Sequence, residues 1–347
     1  MIKLLLLCVV SVLLISSIYI QYCFFIKEGG ESKQLIEKLK WPFLNMLDEK
    51  GNIVDIVCIR GPLDKEEDIL SFERYKKQNK LIIGCSSYLS YPHKCMNPIC
   101  DYETFFINGK RIDELVDGWL YPFKEDKGIH TKKKLFLSES DFVDSVHVFN
   151  QYDLSANSKT IKYDFICYCP SDDSSCDGGW NHHNKNWALA KETIEIACNV
   201  LGLKGVLIGR KECPLNIDPS QLERHENLKY HEFINKIYES KFIIISSYED
   251  ASPRVIGEAL MVNTPILVNK DIIGGWKYVQ SETGLFYDSS TIEVSIREIL
   301  ERTYYPRKYF LDNYGIKNSG KLLRDFIVDI DPSFSRYKYL RFIKYIY

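Results

Sequence analysis

The second half of the chain contains four short runs that are apolar almost throughout. Longer stretches, whose apolar residues recur at helical spacing, separate these runs. A strand that is apolar along its whole length is buried on both faces, which is typical of a parallel sheet covered by helices. The runs are Tyr163–Cys169, Gly205–Ile208, Phe242–Ile245 and Pro265–Val268. We therefore predict an α/β, Rossmann-like lobe over residues 161–304, called the second lobe below.

The first part of the chain shows the same alternation less regularly. Ile53–Ile59 and Leu81–Tyr88 predict strands on either side of a helix over Lys65–Gln78, and Arg111–Leu120 predicts another helix. This pattern favours a smaller Rossmann-like lobe over residues 41–150, called the first lobe below.

Segments of different composition bound the two lobes. Residues 151–160 are polar and rich in turn formers, so we place the linker there. Residues 305–347 predict a C-terminal helical tail that packs back across the first lobe. With 347 residues, the chain is long enough for both lobes.

The N-terminus predicts a membrane anchor. Leu4–Ile26 carries no charge and is long enough to cross a hydrocarbon core of roughly 30 Å. Lys3 and the Ser16-Ser17 pair also fit a cleaved signal peptide, but the apolar run continues beyond the serines without an A-x-A site. We expect a single-pass membrane protein with its anchor at 4–26 and a stem at 27–40. Positive charge on both sides of the span leaves the side of the membrane open.

Charge and cysteine content narrow the partners only slightly. The formal net charge is −2, so no global field draws the protein to nucleic acid. Of 11 cysteines, Cys85, Cys95 and Cys100 lie in a loop-like stretch where they could form disulfides in an oxidising compartment. Cys176 with the neighbouring histidines matches no zinc spacing, and we predict no metal site.

The most informative stretch runs from Lys241 to Val279. It predicts, in order, a strand, a loop, a helix, a second strand and a loop containing Gly274-Gly275. The helix begins near Pro253, with Ser252 as candidate N-cap. In a parallel sheet this helix N-terminus faces the ligand crevice, where unpaired N–H groups favour a diphosphate. Glycines in the following loop allow a close approach of the backbone to a ligand.

This stretch resembles the C-terminal lobe of retaining glycosyltransferases of the GT-B fold, the group 1 or family 4 enzymes. The resemblance rests on two acidic residues eight positions apart, Asp250 and Glu258. Glu258 begins the motif E-A-L, and the motif P-I-L-V follows. It implies two Rossmann-like lobes (a GT-B-like fold) that bind a nucleotide-sugar donor without metal or cofactor. Glu258 would then hold the ribose, and Asp250, or Glu249 beside it, would lie next to the donor sugar and phosphate.

The resemblance also implies cationic residues that grip the diphosphate. The family places an Arg at the end of the lobe's first strand and a Lys shortly after it. Here Cys169 occupies the position of the Arg, whereas Lys185 is a counterpart of the Lys. Arg210 or Arg254 would replace the missing charge. His93 is the candidate in the first lobe, because family members often place a His near the sugar.

Sugar transfer with retention, to a glycan, lipid or protein acceptor that the sequence does not identify, is therefore the predicted function. For a eukaryotic protein, the anchor would imply a Golgi or endoplasmic reticulum type of membrane. Two alternatives stay open. The missing Arg and the small first lobe favour a non-catalytic binding or scaffold protein, and the fold also occurs in nucleotide-sugar epimerases. An exposed ion pair between Arg254 and Glu258 is an alternative interpretation of those two residues, but the surrounding pattern favours the donor role.

Overall fold

A computed structural model describes residues 39–93, 106–124, 128–145, 149, 152, 159–171 and 176–342. Two six-stranded sheets dominate it, one in each lobe. The strands are β1 (Phe43–Leu47), β2 (Ile53–Ile59), β3 (Leu81–Cys85), β4 (Phe106–Ile107), β5 (Lys110–Arg111), β6 (Gly118–Tyr121), β7 (Lys134–Phe136), β8 (Tyr163–Tyr168), β9 (Gly205–Ile208), β10 (Leu222–His225), β11 (Ser240–Ile245), β12 (Ile266–Asn269), β13 (Gly284–Tyr287) and β14 (Arg341–Phe342).

Helices cover the sheets. They are α1 (Glu66–Lys77), α2 (Ile112–Leu115), α3 (Trp180–Asn184), α4 (Trp187–Asn199), α5 (Tyr230–Tyr238), α6 (Arg254–Met261), α7 (Ile292–Glu301), α8 (Pro306–Asn313) and α9 (Gly315–Ile330). Short 3₁₀ segments lie at Glu139–Ser145, Pro219–Gln221, Trp276–Tyr278 and Pro332–Arg336.

The sheet of the first lobe has the order β14-β1-β2-β3-β6-β7. Strands β2, β3, β6 and β7 are parallel, whereas β1 is antiparallel to both of its neighbours. Helix α1 carries three acidic residues in its first turn and three basic residues in its last, which complements the helix dipole.

The helix predicted over Arg111–Leu120 is wrong beyond its first turn. Only Ile112–Leu115 is helical, and Gly118–Tyr121 forms strand β6, which lies between β3 and β7. Trp119 is fully buried there beside Gly84 of β3, where an added Cβ would lie 2.1 Å from the indole ring. A large ring accommodated by a glycine on the neighbouring strand is tertiary packing, which helical spacing does not reveal.

The C-terminal chain returns from the second lobe to the first. Leu323 and Ile327 of α9 pack in one core cluster with Leu44 and Met46 of β1. Strand β14 then pairs with β1 at the sheet edge, with Met46 opposite Phe342. The last described residues thus complete the sheet begun by the first ones.

The prediction of a single-pass membrane protein is contradicted. Across the residues described between 39 and 342, no helix is long and apolar enough to cross a bilayer. The longest of them, α9, has 16 residues and a strongly polar face. The segment 4–26, predicted as the anchor, lies outside the described residues.

Cysteine pairing differs from the expectation. A disulfide joins Cys176, after β8, to Cys213, after β9, with Cα atoms 5.4 Å apart. Cys85 is a buried free thiol, and Cys95 and Cys100 lie outside the described residues. The disulfide therefore ties together two loops at the carboxyl ends of neighbouring strands in the second lobe.

Candidate functional site

The sheet of the second lobe contains a point where the strand order reverses. All six strands are parallel, in the order β10-β9-β8-β11-β12-β13. The chain starts at the central strand β8, builds one half outward through β9 and β10, and returns to build the other half from β11. Loops that leave β8 and β11 therefore diverge and open a crevice, which is where ligands bind in such sheets.

Lys185 and Asp250 meet across this crevice. Lys185 follows α3 on the chain segment that leaves β8, and Asp250 lies on the loop that leaves β11. The Lys185 Nζ donates to Asp250 Oδ2 at 2.5 Å. The Ser246 hydroxyl also donates to the Lys185 carbonyl, at 2.6 Å. Two loops that are 65 residues apart in the chain are thus held together at the reversal point.

The environment keeps Lys185 charged. Burial alone would lower the pKa of its ammonium group, but the Asp250 carboxylate, through its charge and its hydrogen bond, raises that pKa above its ordinary value. The side chains of Lys185 and Asp250 are 20% and 16% exposed, so both can be reached from the crevice. A cation in a partly dehydrated crevice is suited to binding an anionic ligand.

Glu258 lies on α6 and is nearly buried, with 4% of its surface exposed. Its Oε1 accepts from Tyr230 Oη of α5 at 3.0 Å and from Arg254 Nη2 at 3.2 Å. Burial and the neighbouring Glu258 charge raise the pKa of Tyr230, which therefore stays a hydrogen-bond donor. The predicted Arg254–Glu258 ion pair exists, but its carboxylate is buried rather than exposed.

Tyr168 links these groups. It is the last residue of β8, and its ring lies 4.9 Å from that of Phe233. Burial raises the pKa of Tyr168, and the charges of Lys185, Glu258 and Asp250 all act on its hydroxyl. These three predicted residues therefore all contribute to the electrostatic environment of Tyr168. Neither Tyr168 nor Tyr230 was predicted from the sequence; the position of Tyr168 at the carboxyl end of the central strand was the available signal.

Arg210 lies against the residue that occupies the place of the expected Arg. Its guanidinium acts on the thiol of Cys169 and donates to the Cys176 carbonyl at 3.1 Å. It also lies 5.2 Å from the centre of the Trp187 ring. Arg210 is 1% exposed, and its Nε and Nη2 have no hydrogen-bond partner among the described residues. The Arg210 cation, which follows β9, thus lies beside the end of β8.

Ser252 and the glycine pair contact other parts of the protein. Ser252 does not cap α6, whose N-cap is Pro253. Its hydroxyl bonds the hydroxyls of Ser138 and Ser140 in the first lobe, at 2.7 and 2.9 Å. At Gly274 an added Cβ would lie 1.9 Å from the Ala251 carbonyl oxygen, and Gly275 has φ of +79°. These glycines let their loop pack against the backbone that carries Asp250.

Glu249 and His93 occupy different surroundings. Glu249 is 2% exposed and lies on the loop after β11, next to Asp250. His93 lies in the first lobe, with its ring 6.2 Å from that of Phe123. Burial, followed by the charge of Arg111, lowers the pKa of His93. In the described part of the chain, the contacts found for His93 stay within the first lobe and do not include Lys185 or Asp250.

The two Rossmann-like sheets give the chain the GT-B fold found in solved glycosyltransferase structures. The chain resembles the crystal structure of TarM with a TM-score of 0.53 at 12% identity, over 80% of this chain and 54% of that one. It thus spans about half the length of TarM.

Two further solved structures are similar. The lipopolysaccharide outer core galactosyltransferase WaaB gives a TM-score of 0.48 at 13% identity, over 79% of this chain and 75% of that one. The pneumococcal O-GlcNAc transferase GtfA gives 0.48 at 11%, over 81% and 57%. No protein-family model and no curated protein matches the sequence.

Proposed function

We propose that the protein transfers a sugar from a nucleotide-sugar donor bound in the crevice between β8 and β11. The Lys185–Asp250 pair carries this proposal, because it places a cation and a carboxylate where the fold binds ligands. The N-terminus of α6 follows the loop that leaves β11, and the positive end of its helix dipole favours the donor diphosphate. Glu258, which accepts hydrogen bonds from Tyr230 and Arg254, would also accept from the ribose hydroxyls.

The proposed chemistry is electrostatic. As the bond between the anomeric carbon and the diphosphate breaks, negative charge grows on the leaving group. Lys185, Arg210 and the α6 amides would stabilise that charge, which is often the largest contribution to such catalysis. The acceptor oxygen forms the new bond to the anomeric carbon, and its proton passes to the departing phosphate. We further propose that the transfer retains the anomeric configuration and needs no metal.

A thermal-shift screen of the full chain against UDP, GDP and ADP and their sugars tests donor binding. One nucleotide should raise the unfolding temperature, because a ligand that binds only the native state stabilises it. We expect Glu258→Gln to weaken the shift and Lys185→Ala to reduce transfer at least tenfold. Lys185→Arg should recover part of the activity. Lys308→Ala, at an exposed lysine of α8, is the control and should change neither reading.

The proposal fails if no nucleotide stabilises the protein, or if both site variants behave like the control. A reduced unfolding temperature without ligand would reveal a folding defect, so each variant is compared with its own ligand-free state.

One observation favours a second candidate, a binding protein that does not catalyse transfer. Cys169 stands where the resembling enzymes have a phosphate-gripping Arg, and the positive charge of Lys185 is balanced by the Asp250 carboxylate. Such a protein would give the thermal shift but would neither transfer the sugar nor hydrolyse the donor. Release of free nucleotide diphosphate over time separates the two candidates.

A further inference from the structure

Three aromatic side chains form a continuous surface where the two lobes meet. The Tyr88 ring, after β3, lies 5.7 Å from the Trp41 ring in an edge-on contact. On its other side it stacks with Trp180, at 5.6 Å and an interplanar angle of 25°. Trp41 and Tyr88 belong to the first lobe, and Trp180 begins α3 of the second. We call these three residues the aromatic platform.

A polar cluster adjoins the platform. Arg60 Nη1 donates to Glu139 Oε1 at 2.9 Å, and the Ser87 hydroxyl donates to the other oxygen of Glu139. The side chains of Arg60 and Glu139 are each 14% exposed. The Arg60 guanidinium also lies 5.1 Å from the centre of the Trp41 ring. A fixed carboxylate and guanidinium therefore stand beside an aromatic face. We call Arg60, Ser87 and Glu139 the Arg60 cluster.

The topology explains why these residues converge. Arg60 directly follows β2, Ser87 and Tyr88 come shortly after β3, and Glu139 comes shortly after β7. Because β2, β3 and β7 run parallel in one sheet, their carboxyl ends lie at the same end of the sheet. Ligands bind at this end of an open α/β sheet.

The platform also adjoins the crevice of the second lobe. Trp180 stands five residues before Lys185 on the same chain segment. Burial, then the charges of Asp64 and Glu249, raise the pKa of Tyr88, so Glu249 next to Asp250 is close enough to act on it. Trp41 is 50% exposed, which leaves ring surface available beside the crevice.

This combination of groups matches the chemistry of a carbohydrate. The C–H faces of a pyranose ring pack on aromatic rings, while its hydroxyls both donate and accept hydrogen bonds. Glu139 supplies acceptors and Arg60 supplies donors in a fixed geometry. A purely apolar ligand would displace water from Arg60 and Glu139 without forming hydrogen bonds to them, which costs free energy.

We propose that the aromatic platform and the Arg60 cluster form the acceptor site, and that the acceptor is a saccharide whose hydroxyls bind Glu139 and Arg60. This inference rests on the proposed function, because it names the second substrate of the same crevice. Tyr88 and Trp180 would place the acceptor against both lobes at once.

A glycan array probed with the full chain, with and without UDP, GDP or ADP, tests the inference. We expect binding to at least one saccharide, with affinity reduced at least tenfold by Trp41→Ala and by Glu139→Gln. Trp41→Phe retains an aromatic face and should keep most of the binding. Phe106→Ala, at an exposed ring elsewhere in the first lobe, is the control and should bind like the unmodified chain.

Two results would overturn the inference. One is a protein that binds a nucleotide but none of the saccharides, which would indicate an acceptor of another class, such as a peptide or a lipid. The other is saccharide binding that survives both Trp41→Ala and Glu139→Gln, which would reduce the platform to a contact between lobes. If no nucleotide raised the unfolding temperature of the unmodified chain, that result would count against the proposed function instead. The two failures can be told apart, because array binding is also measured without nucleotide.

Discussion

Single side chains in this protein acquire their properties from partners on other elements. Glu258 could have been an exposed member of an ion pair within one helix turn, yet Tyr230 from α5 covers it and donates to it. Asp250, which lies opposite Lys185, outweighs the effect of burial and raises the pKa of the Lys185 ammonium group. The type of residue sets which hydrogen bonds are possible, and its neighbours in space decide which of them form.

Glu223 allows a test of this principle away from the site. Burial would raise its pKa, but hydrogen bonds from Lys236, Tyr163 and His225 outweigh burial and lower that pKa from 4.5 to about 2. A carboxyl with a lowered pKa stabilises the folded state above its unfolded pKa, and this contribution is lost as the pH falls from 4.5 towards 2. Because the side chain is 39% exposed, we expect the loss to be about 1 kcal/mol or less.

Urea unfolding at pH 5, 4 and 3 measures the effect. As the pH is lowered, the free energy of unfolding should fall less steeply in Glu223→Gln than in the unmodified chain, because the variant has no carboxyl to protonate at this position. Glu301→Gln, at an exposed position on α7, is the control and should keep the original slope. Equal slopes in all three proteins would contradict the prediction.

At the scale of elements, the loop after β12 supports the loop after β11. Ile273 N donates to the Tyr248 carbonyl at 3.0 Å, and Gly274 touches the backbone of Ala251. The approach of a ligand to the Gly-Gly pair stays a prediction, and in the structure Gly274 packs against the chain that carries Asp250. A glycine pair in a sequence indicates a close approach without indicating what is approached.

Gly274→Ala should therefore disturb the site through the backbone. A Cβ 1.9 Å from the Ala251 carbonyl oxygen forces the two loops apart, and we expect a loss of about 1–3 kcal/mol in the free energy of unfolding. The nucleotide-induced thermal shift should also shrink, because Asp250 moves with Ala251. Gly202→Ala is the matched control: its φ is +66° and no atom lies within 4 Å of its Cβ. It should lower stability by about 1–2 kcal/mol and leave the shift unchanged.

At the scale of the molecule, a buried charged pair connects the lobes. Lys277, after β12, donates to Asp141 Oδ2 at 2.7 Å, and Tyr278 donates to Oδ1 at 2.5 Å. Both charged side chains are less than 5% exposed. Burial lowers the pKa of Lys277, although the Asp141 charge opposes that change. Since α9 and β14 also cross to the first lobe, the crevice is held by several independent links.

Removing one partner of this pair should be costly. Asp141→Ala leaves the Lys277 ammonium buried without its counter-charge, and we expect a loss of about 3–5 kcal/mol in the free energy of unfolding. Denaturant unfolding followed by tryptophan fluorescence measures the loss. Asp312→Ala, which breaks an exposed ion pair with Lys308 on α8, should change stability by less than about 1 kcal/mol. Similar losses in both variants would show that the buried pair has no special weight.

The local sequence was sufficient for those features that depend on periodicity and spacing. Continuous apolar runs predicted four of the six strands of the second sheet, because burial on both faces excludes polar residues from such strands. The two edge strands, β10 and β13, were not predicted. The order of strand, loop, helix and strand around Asp250 and Glu258 supported the resemblance to GT-B glycosyltransferases, and the fold is now confirmed.

Only the tertiary structure decided which residues meet. Four features depend on chain segments that are far apart in sequence. They are the Lys185–Asp250 pair, the hydrogen bond from Tyr230 to Glu258, the hydrogen bonds from Ser252 to the first lobe and the strand at Trp119. Periodicity reports only which face of an element is apolar. The contacts that form a site depend on how sheets and loops are arranged in space, and that arrangement is set by packing over the whole chain.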